Sequence, residues 1–316
     1  MEEGCGLRMQ NVQADSAFIR SMQKLKAWLE TADKILIGAG AGLTAAAGLS
    51  YLDEELFKQF QPEMAAMGYR HPYELFDRFK ENWPAAREWA YNIKHIHFVR
   101  YQFPPSELYK KLLQVVQDKD FFVITSNCDR QFFRTGFPMT RVFEAQGSYD
   151  RLKCVRSCTK ETWHIKPFID KLLPLIDPET FMIKDESAIP ACPYCGAPLF
   201  AAVRDYEEYE EEKNRYLDWV ESTIGRKLCI LEIGVGFNTP AVIRWPFERL
   251  TYYHNQAHLF RVNYEYKEVP GHGGFPMVPE ELKEKDKATP LPYDAKDVIE
   301  WLAEHMVVKD ENQAKL

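Results

Sequence analysis

Twice in this chain a short apolar run ends at glycines and leads towards a helix-prone segment. The first is Lys34-Ile-Leu-Ile-Gly38, continuing through Ala39-Gly40-Ala41-Gly42 to Thr44-Ala-Ala-Ala. The second is LCILEIG, Leu228 to Gly234, continuing through Val235-Gly236-Phe237-Asn238-Thr239. A buried strand that stops at a glycine turn before a helix opens a βαβ unit, which strongly restricts the folds available. Further apolar runs at Phe121–Ser126, Arg141–Glu144 and Leu259–Tyr264 read as strands. Helical spacing lies between and around them, in Phe18–Leu29, Ser106–Lys119 and Asp294–Met306. The alternation predicts an α/β protein with a mostly parallel sheet and helices on both faces.

Two stretches interrupt that rhythm. Residues 51–104 are aromatic, Pro-rich and helical in pattern without an intervening strand, and residues 150–204 hold paired cysteines. They are expected to form a small domain, a helical insertion beside a metal-binding module. Residues 1–50, 105–149 and 205–316 would then make one discontinuous sheet domain. The segment Asp205–Trp219 reads as an acidic helix with a solvated face. The net charge of −7 disfavours nonspecific binding to nucleic acid or anionic membrane. There is no run of about 18 apolar residues to span a bilayer. The start, MEEGCGLRMQ, lacks the apolar stretch of a secretory signal. An intracellular, cytoplasmic setting follows, where cysteines stay reduced and clustered ones bind metal.

The cysteines fit that expectation. Cys154-x3-Cys158 and Cys192-x2-Cys195 are two close pairs, and each can grip one side of a tetrahedral ion. Four thiolates close the shell and leave no open position, so the zinc they would hold is structural. Cys5, Cys128 and Cys229 have no partner pattern, and Cys229 falls inside a predicted strand as a core residue.

The glycine turns point to a nucleotide. Glycines after a strand let backbone approach phosphate, and a helix start offers free N–H groups. No Lys stands at the P-loop position, which disfavours a Walker-type NTPase. A polar cluster, Thr125-Ser126-Asn127-Cys128-Asp129, follows the strand FFVI. All three clusters fall at carboxyl ends of strands, where open α/β sheets bind dinucleotides.

These motifs, in this order, resemble the sirtuins, NAD-consuming protein deacylases and ADP-ribosyltransferases. The family's GAG-x-S-x3-GI segment resembles Gly40-Ala41-Gly42-Leu43-Thr44, continuing to Gly48-Leu49. Its T-Q-N-x-D motif resembles Thr125-Ser126-Asn127-Cys128-Asp129, and its catalytic H-G falls on Gln146-Gly147. Its G-x-S turn resembles Gly234-Val235-Gly236, and its N-x-E resembles Asn263-Tyr264-Glu265. Its two zinc-binding pairs match the four cysteines. The resemblance implies a Rossmann-like large domain, a small domain with a zinc ribbon, and NAD as consumed co-substrate in the cleft between them. It places NAD on Gly40, Ala41, Gly42, Thr44, Gly48 and Leu49, on Ser126, Asn127, Asp129 and Gln146, and on Gly234, Gly236, Phe237, Asn238, Asn263 and Glu265.

Two departures carry information. Gln146 stands where deacylases have His, and Leu52-Asp53 stand where a Phe-Arg pair is typical. The EAQGS context resembles the macrodomain-linked microbial (class M) sirtuins, associated with ADP-ribosylation of lipoyl-carrier proteins. That resemblance implies a lipoylated acceptor and a macrodomain partner that reverses the modification. Gln does not titrate near neutral pH, so it cannot deprotonate a ribose hydroxyl as a deacylase requires. Direct transfer of ADP-ribose survives, and a carboxylate acceptor suits it best. In this reading Asn127 orients the nicotinamide ribose or the incoming group. Asp129 binds the nicotinamide amide or stabilises charge on the ribose, and Gln146 positions ribose hydroxyls. Two alternatives stand beside it. One is a lysine deacylase with a relocated base among His71, His95, His97, His164, His254, His258, His272 and His305. The other is an inactive NAD or ADP-ribose sensor.

Overall fold

The computed structural model describes residues 16–76, 83–201, 206–264 and 276–306. The main sheet contains β1 (Lys34–Ala39), β2 (Phe121–Thr125), β3 (Val142–Glu144), β7 (Leu228–Ile233), β8 (Ala257–Val262) and β9 (Ala288–Leu291). Their order is β3-β2-β1-β7-β8-β9, and every pairing is parallel. The order reverses between β1 and β7. A crevice opens at such a switch point because the connections on its two sides leave in opposite directions.

Central strands β1, β2, β7 and β8 are almost wholly buried, as both faces are covered. On one face lie helices Ser16–Thr31, Glu107–Val116 and Ala295–Met306. They bury residues such as Met22, Leu112 and Ile299 against Ile35, Val123 and Phe260. Ser106 caps the second of these helices, its hydroxyl accepting from the Leu108 N–H at 3.1 Å. Arg244–Tyr253 and Tyr206–Glu221 cover the other face.

The sixth strand, β9, escapes the sequence pattern. It carries Pro290 and only four residues, which an edge strand tolerates. The acidic helix also does more than face solvent. Its carboxylates are mostly exposed, yet Tyr209, Tyr216 and Trp219 turn inward onto Phe122 and Phe143. Among the described residues no helix is long and apolar enough to cross a membrane.

The interrupting stretches meet in a separate hydrophobic core. Phe57, Tyr91 and Ile93 come from the first stretch, and Leu152, Phe181 and Leu199 from the second. Its small antiparallel sheet has the order β5-β4-β6, with β4 at Arg151–Cys154, β5 at Thr162–His164 and β6 at Leu199–Phe200. Helix Ala85–Ile96 loosens into a π-helical turn, His97–Gln102, ahead of Pro104-Pro105. That turn places Arg100 beside the main sheet's loops, its Nε donating to Asp150 Oδ1 at 2.6 Å.

Candidate active site

The crevice is built from the two glycine turns in direct contact. The Gly42 N–H donates to the Gly234 carbonyl at 2.9 Å. A Cβ on Gly234 would sit 2.3 Å from the Leu43 nitrogen, and the residue's φ of +62° is itself unfavourable for other side chains. A Cβ on Gly40 or Gly42 would lie 2.6 Å from Gly234 backbone atoms. These three glycines are therefore fixed by the approach of one turn to the other. Gly236 has open space around its Cβ position. Gly234→Ala is expected to cost at least about 2–3 kcal/mol, from the left-handed backbone and the clash together. Gly236→Ala should stay within about 0.5 kcal/mol. Urea unfolding of both variants measures the contrast, and equal midpoints would refute it.

Two adjoining cavities of about 480 and 400 Å³ lie along this crevice and share Ala41, Gly42, Tyr51, Tyr73, Gly234 and Asn263. The smaller one is also lined by Ser126, Asn127, Asp129, Gln146 and Asn238. Beneath it runs a satisfied polar network. The Asn127 Nδ2 donates to the Gly40 carbonyl at 3.0 Å and to Thr44 Oγ1 at 3.1 Å. Thr44 Oγ1 donates to Asp129 Oδ2 at 2.7 Å and pairs with the Tyr109 hydroxyl at 2.9 Å. The other Asp129 oxygen accepts from the Gln131 N–H at 2.9 Å. Burial pushes the Asp129 carboxyl above its ordinary range, and these hydrogen bonds oppose that shift.

Gln146 is exposed on the loop after β3, and arginines fix that loop from outside. Arg130 reaches Glu144 at 2.6 Å and Asp150 at 2.8 Å. Arg100 holds the other Asp150 oxygen, and the Tyr149 N–H donates to the Cys128 carbonyl at 3.0 Å. Gly147 supplies the positive φ of +80° that turns the loop.

No family model matches this chain. It is 32% identical over 296 residues to a Fusarium oxysporum f. sp. cubense protein named probable bifunctional ADP-ribose hydrolase/ADP-ribosyltransferase, covering 90% of this chain and 48% of that one. The chain thus spans about half the length of that relative. It is 28% identical over 267 residues to a Staphylococcus aureus protein ADP-ribosyltransferase, covering 79% of this chain and 80% of the relative. Among solved structures, a Sir2 enzyme superposes with a TM-score of 0.54 at 19% identity, covering 90% of this chain and 97% of that one. A Sir2 homologue in complex with NAD gives 0.54 at 15% identity, covering 90% and 93%. The chain has the sirtuin fold.

Within the sirtuin fold the sequence-derived residues separate into groups. Ala41, Gly42, Thr44, Ser126, Asn127, Asp129, Gln146, Gly234, Gly236, Asn238 and Asn263 line the crevice. Gly40 sits just behind it, its carbonyl held by Asn127. Leu49 is buried in the core, and Gly48 is exposed with a φ of +98°. Neither lines the cavities. Phe237 instead lies under the Arg244 guanidinium, 4.0 Å from ring centroid to Cζ. Glu265 and His272 fall outside the described residues.

Sequence reasoning missed the tyrosines. Tyr51, Tyr73 and Tyr149 line the crevice, and Tyr109 lies under Asn127. Tyr109 occupies the apolar stripe of its helix, so nothing in the sequence marks its hydroxyl as part of a polar network. Among the described residues no histidine lines either cavity. His95 is buried one layer behind, its ring 5.6 Å from those of Tyr51 and Tyr149.

The four paired cysteines converge in the small module. Their sulfurs all lie within 4.8 Å of one another, with separations such as 3.4 Å for Cys158–Cys192 and 3.6 Å for Cys154–Cys195. A tetrahedral zinc with Zn–S bonds of about 2.3 Å has edges of about 3.8 Å. Backbone N–H groups of Cys158 and Arg156 draw the Cys154 thiol down to about 6, while the Cys195 and Cys192 sulfurs push Cys158 up. Four sulfurs so close cannot all ionise without a cation among them. Cys229, by contrast, is buried in β7.

Proposed function

We propose that this chain is an NAD-dependent protein ADP-ribosyltransferase, with NAD seated along the crevice and zinc on Cys154, Cys158, Cys192 and Cys195. The observation that carries the reading is Gln146, sharing a cavity with Asn127 and Asp129 that no described histidine lines. The names of the Fusarium and Staphylococcus relatives agree with it. The division into a sheet domain and a small domain at 51–104 and 150–204 is part of the same reading. So is a reducing, cytoplasmic setting, which keeps four thiolates available to zinc.

The residues suggest a transfer that needs no strong base. The Asn127 amide nitrogen is held inward by Gly40 and Thr44, leaving its oxygen for the nicotinamide ribose. The Asp129 carboxylate offsets positive charge that develops on the ribose in the transition state. Gln146 fixes ribose hydroxyls by hydrogen bonding. An acceptor carboxylate then bonds to the ribose C1′ as the bond from C1′ to the nicotinamide nitrogen breaks. The bonding pair goes to the pyridinium ring, nicotinamide leaves neutral, and no proton has to move. A lipoyl-carrier protein is the acceptor suggested by the class M motif, and a macrodomain protein the reversing partner.

Incubation with NAD and a lipoylated carrier, and separately with an acyl-lysine peptide, tests this by intact mass. One ADP-ribose added to the carrier is expected, with no deacylation. Peptide deacylation would favour the relocated base. The pH profile adds a check. Activity should rise with pH as Asp129 ionises, with its acid limb above the ordinary Asp value of about 3.9. No limb belonging to Gln146 should appear near 6.5. Measured as nicotinamide release without acceptor, so that no acceptor carboxylate titrates, Asp129→Asn should abolish the acid limb along with most activity, and a limb that persisted in that variant would remove Asp129 from its role.

A further inference from the structure

A third cavity, of about 500 Å³, opens on the other side of Gln146. It lies between the cysteine module and the acidic helix. Its walls combine Lys153, Lys160, Thr162 and Phe200 from the module with Tyr206 and Tyr209 from the helix. Gln146 lines both this cavity and the NAD-side crevice. Whatever sits here meets the reacting ribose across one side chain.

Its charge is unusual for this protein. The chain carries a net charge of −7, yet among the described residues no carboxylate lines the cavity. The two ammonium groups rest on aromatic rings, Lys153 at 5.7 Å from Phe200 and Lys160 at 5.2 Å from Tyr206. Neither pairs with a carboxylate among the described residues. Nearby Glu161 instead accepts from the Tyr194 hydroxyl at 2.6 Å. Glu207 and Glu208 are exposed on the helix and do not line the cavity. Cations stacked on rings keep their full charge for an incoming anion.

We infer that this cavity is the acceptor subsite, and that Lys153 and Lys160 receive an acidic segment of the acceptor protein. The inference rests on the transferase reading, and it names where the acceptor carboxylate comes from. At physiological salt, charges beyond about 8 Å are screened. The two lysines therefore govern docking locally even though the whole chain repels an acidic partner. One carboxylate of the segment enters towards Gln146 as the nucleophile. Its neighbours stay on the ammonium groups.

The test uses the full zinc-loaded chain and two fluorescein-labelled decapeptides, one rich in Asp and Glu, the other its Asn/Gln counterpart. Fluorescence anisotropy with NAD present should show the acidic peptide binding about tenfold tighter at low salt, with the preference fading at high salt. Lys153→Met with Lys160→Met should erase the preference, and the paired Arg substitutions should keep it. Lys160 is exposed, so Lys160→Met alone is a second variant should the double one fail to fold. Zero-length carbodiimide coupling should attach the acidic peptide to Lys153 or Lys160. Equal affinity for the two peptides, or coupling only elsewhere, overturns the inference. So does a single-stranded oligonucleotide of matched charge that binds more tightly through the same lysines. Calorimetric NAD binding on the same sample separates the two readings. NAD binding without acidic preference leaves the transferase reading standing. Acidic preference without NAD binding removes that reading instead.

Discussion

Replacing Asn127 by alanine is expected to lower NAD cleavage by at least about 10²-fold with little change in fold. Its amide bridges the first glycine turn, Thr44 and the Tyr109 hydroxyl, the last at 3.4 Å. Truncation frees the Gly40 carbonyl and removes the group proposed to meet the ribose. A water can take over the vacated hydrogen bonds, so stability should fall by only about 1 kcal/mol. The comparison variant is Tyr109→Phe. It leaves Asn127 in place and removes one partner from behind, so it should cost much less activity. Single-turnover nicotinamide release measures both. An Asn127→Ala protein that releases nicotinamide at the parent rate would exclude Asn127 from the chemistry.

Cys192→Ser is expected to lose its zinc and unfold the small module, lowering stability by several kcal/mol. Cys192 is almost fully buried and meets Cys158 at 3.4 Å. Its N–H donates to the Ala197 carbonyl at 2.8 Å, so the turn around it is shaped by the same site. Residues 152–199 share one core with helix Ala85–Ile96, and that helix leads to Arg100. Loss of the metal should therefore reach the Asp150 loop and lower NAD affinity indirectly. Zinc content by colorimetric chelator, urea unfolding and limited proteolysis within 150–204 report the outcome. Cys229→Ser lies in the sheet core and should retain zinc. A Cys192→Ser protein with stoichiometric zinc and parent resistance to proteolysis would contradict the four-sulfur site.

Much of this molecule is legible in its sequence. Strands β1, β2, β3, β7 and β8 follow from apolar runs, because strands buried on both faces leave a continuous hydrophobic signal. The cysteine pairs and the three polar turns were visible as motifs. Strand β9 was not, because an edge strand with Pro290 has neither a long apolar run nor alternation. The inner face of helix Tyr206–Glu221 was hidden by its acidic majority, since Tyr209, Tyr216 and Trp219 are few among many charges.

The glycine turns show where local information ends. Sequence alone determined that a strand stops at Gly38–Gly42 and again at Gly234–Gly236, and that Gln146 stands where the resembled motif has a histidine. Those are properties of residue type and spacing along the chain. Tertiary structure alone decided that Gly40, Gly42 and Gly234 serve each other's close approach. It also decided that Tyr109 completes the Asn127–Thr44–Asp129 network and that Lys153 and Lys160 face a cavity shared with Gln146. Each of these joins residues far apart in sequence. Their partners are chosen by the order of strands in the sheet and by packing of the two cores, which no local pattern records.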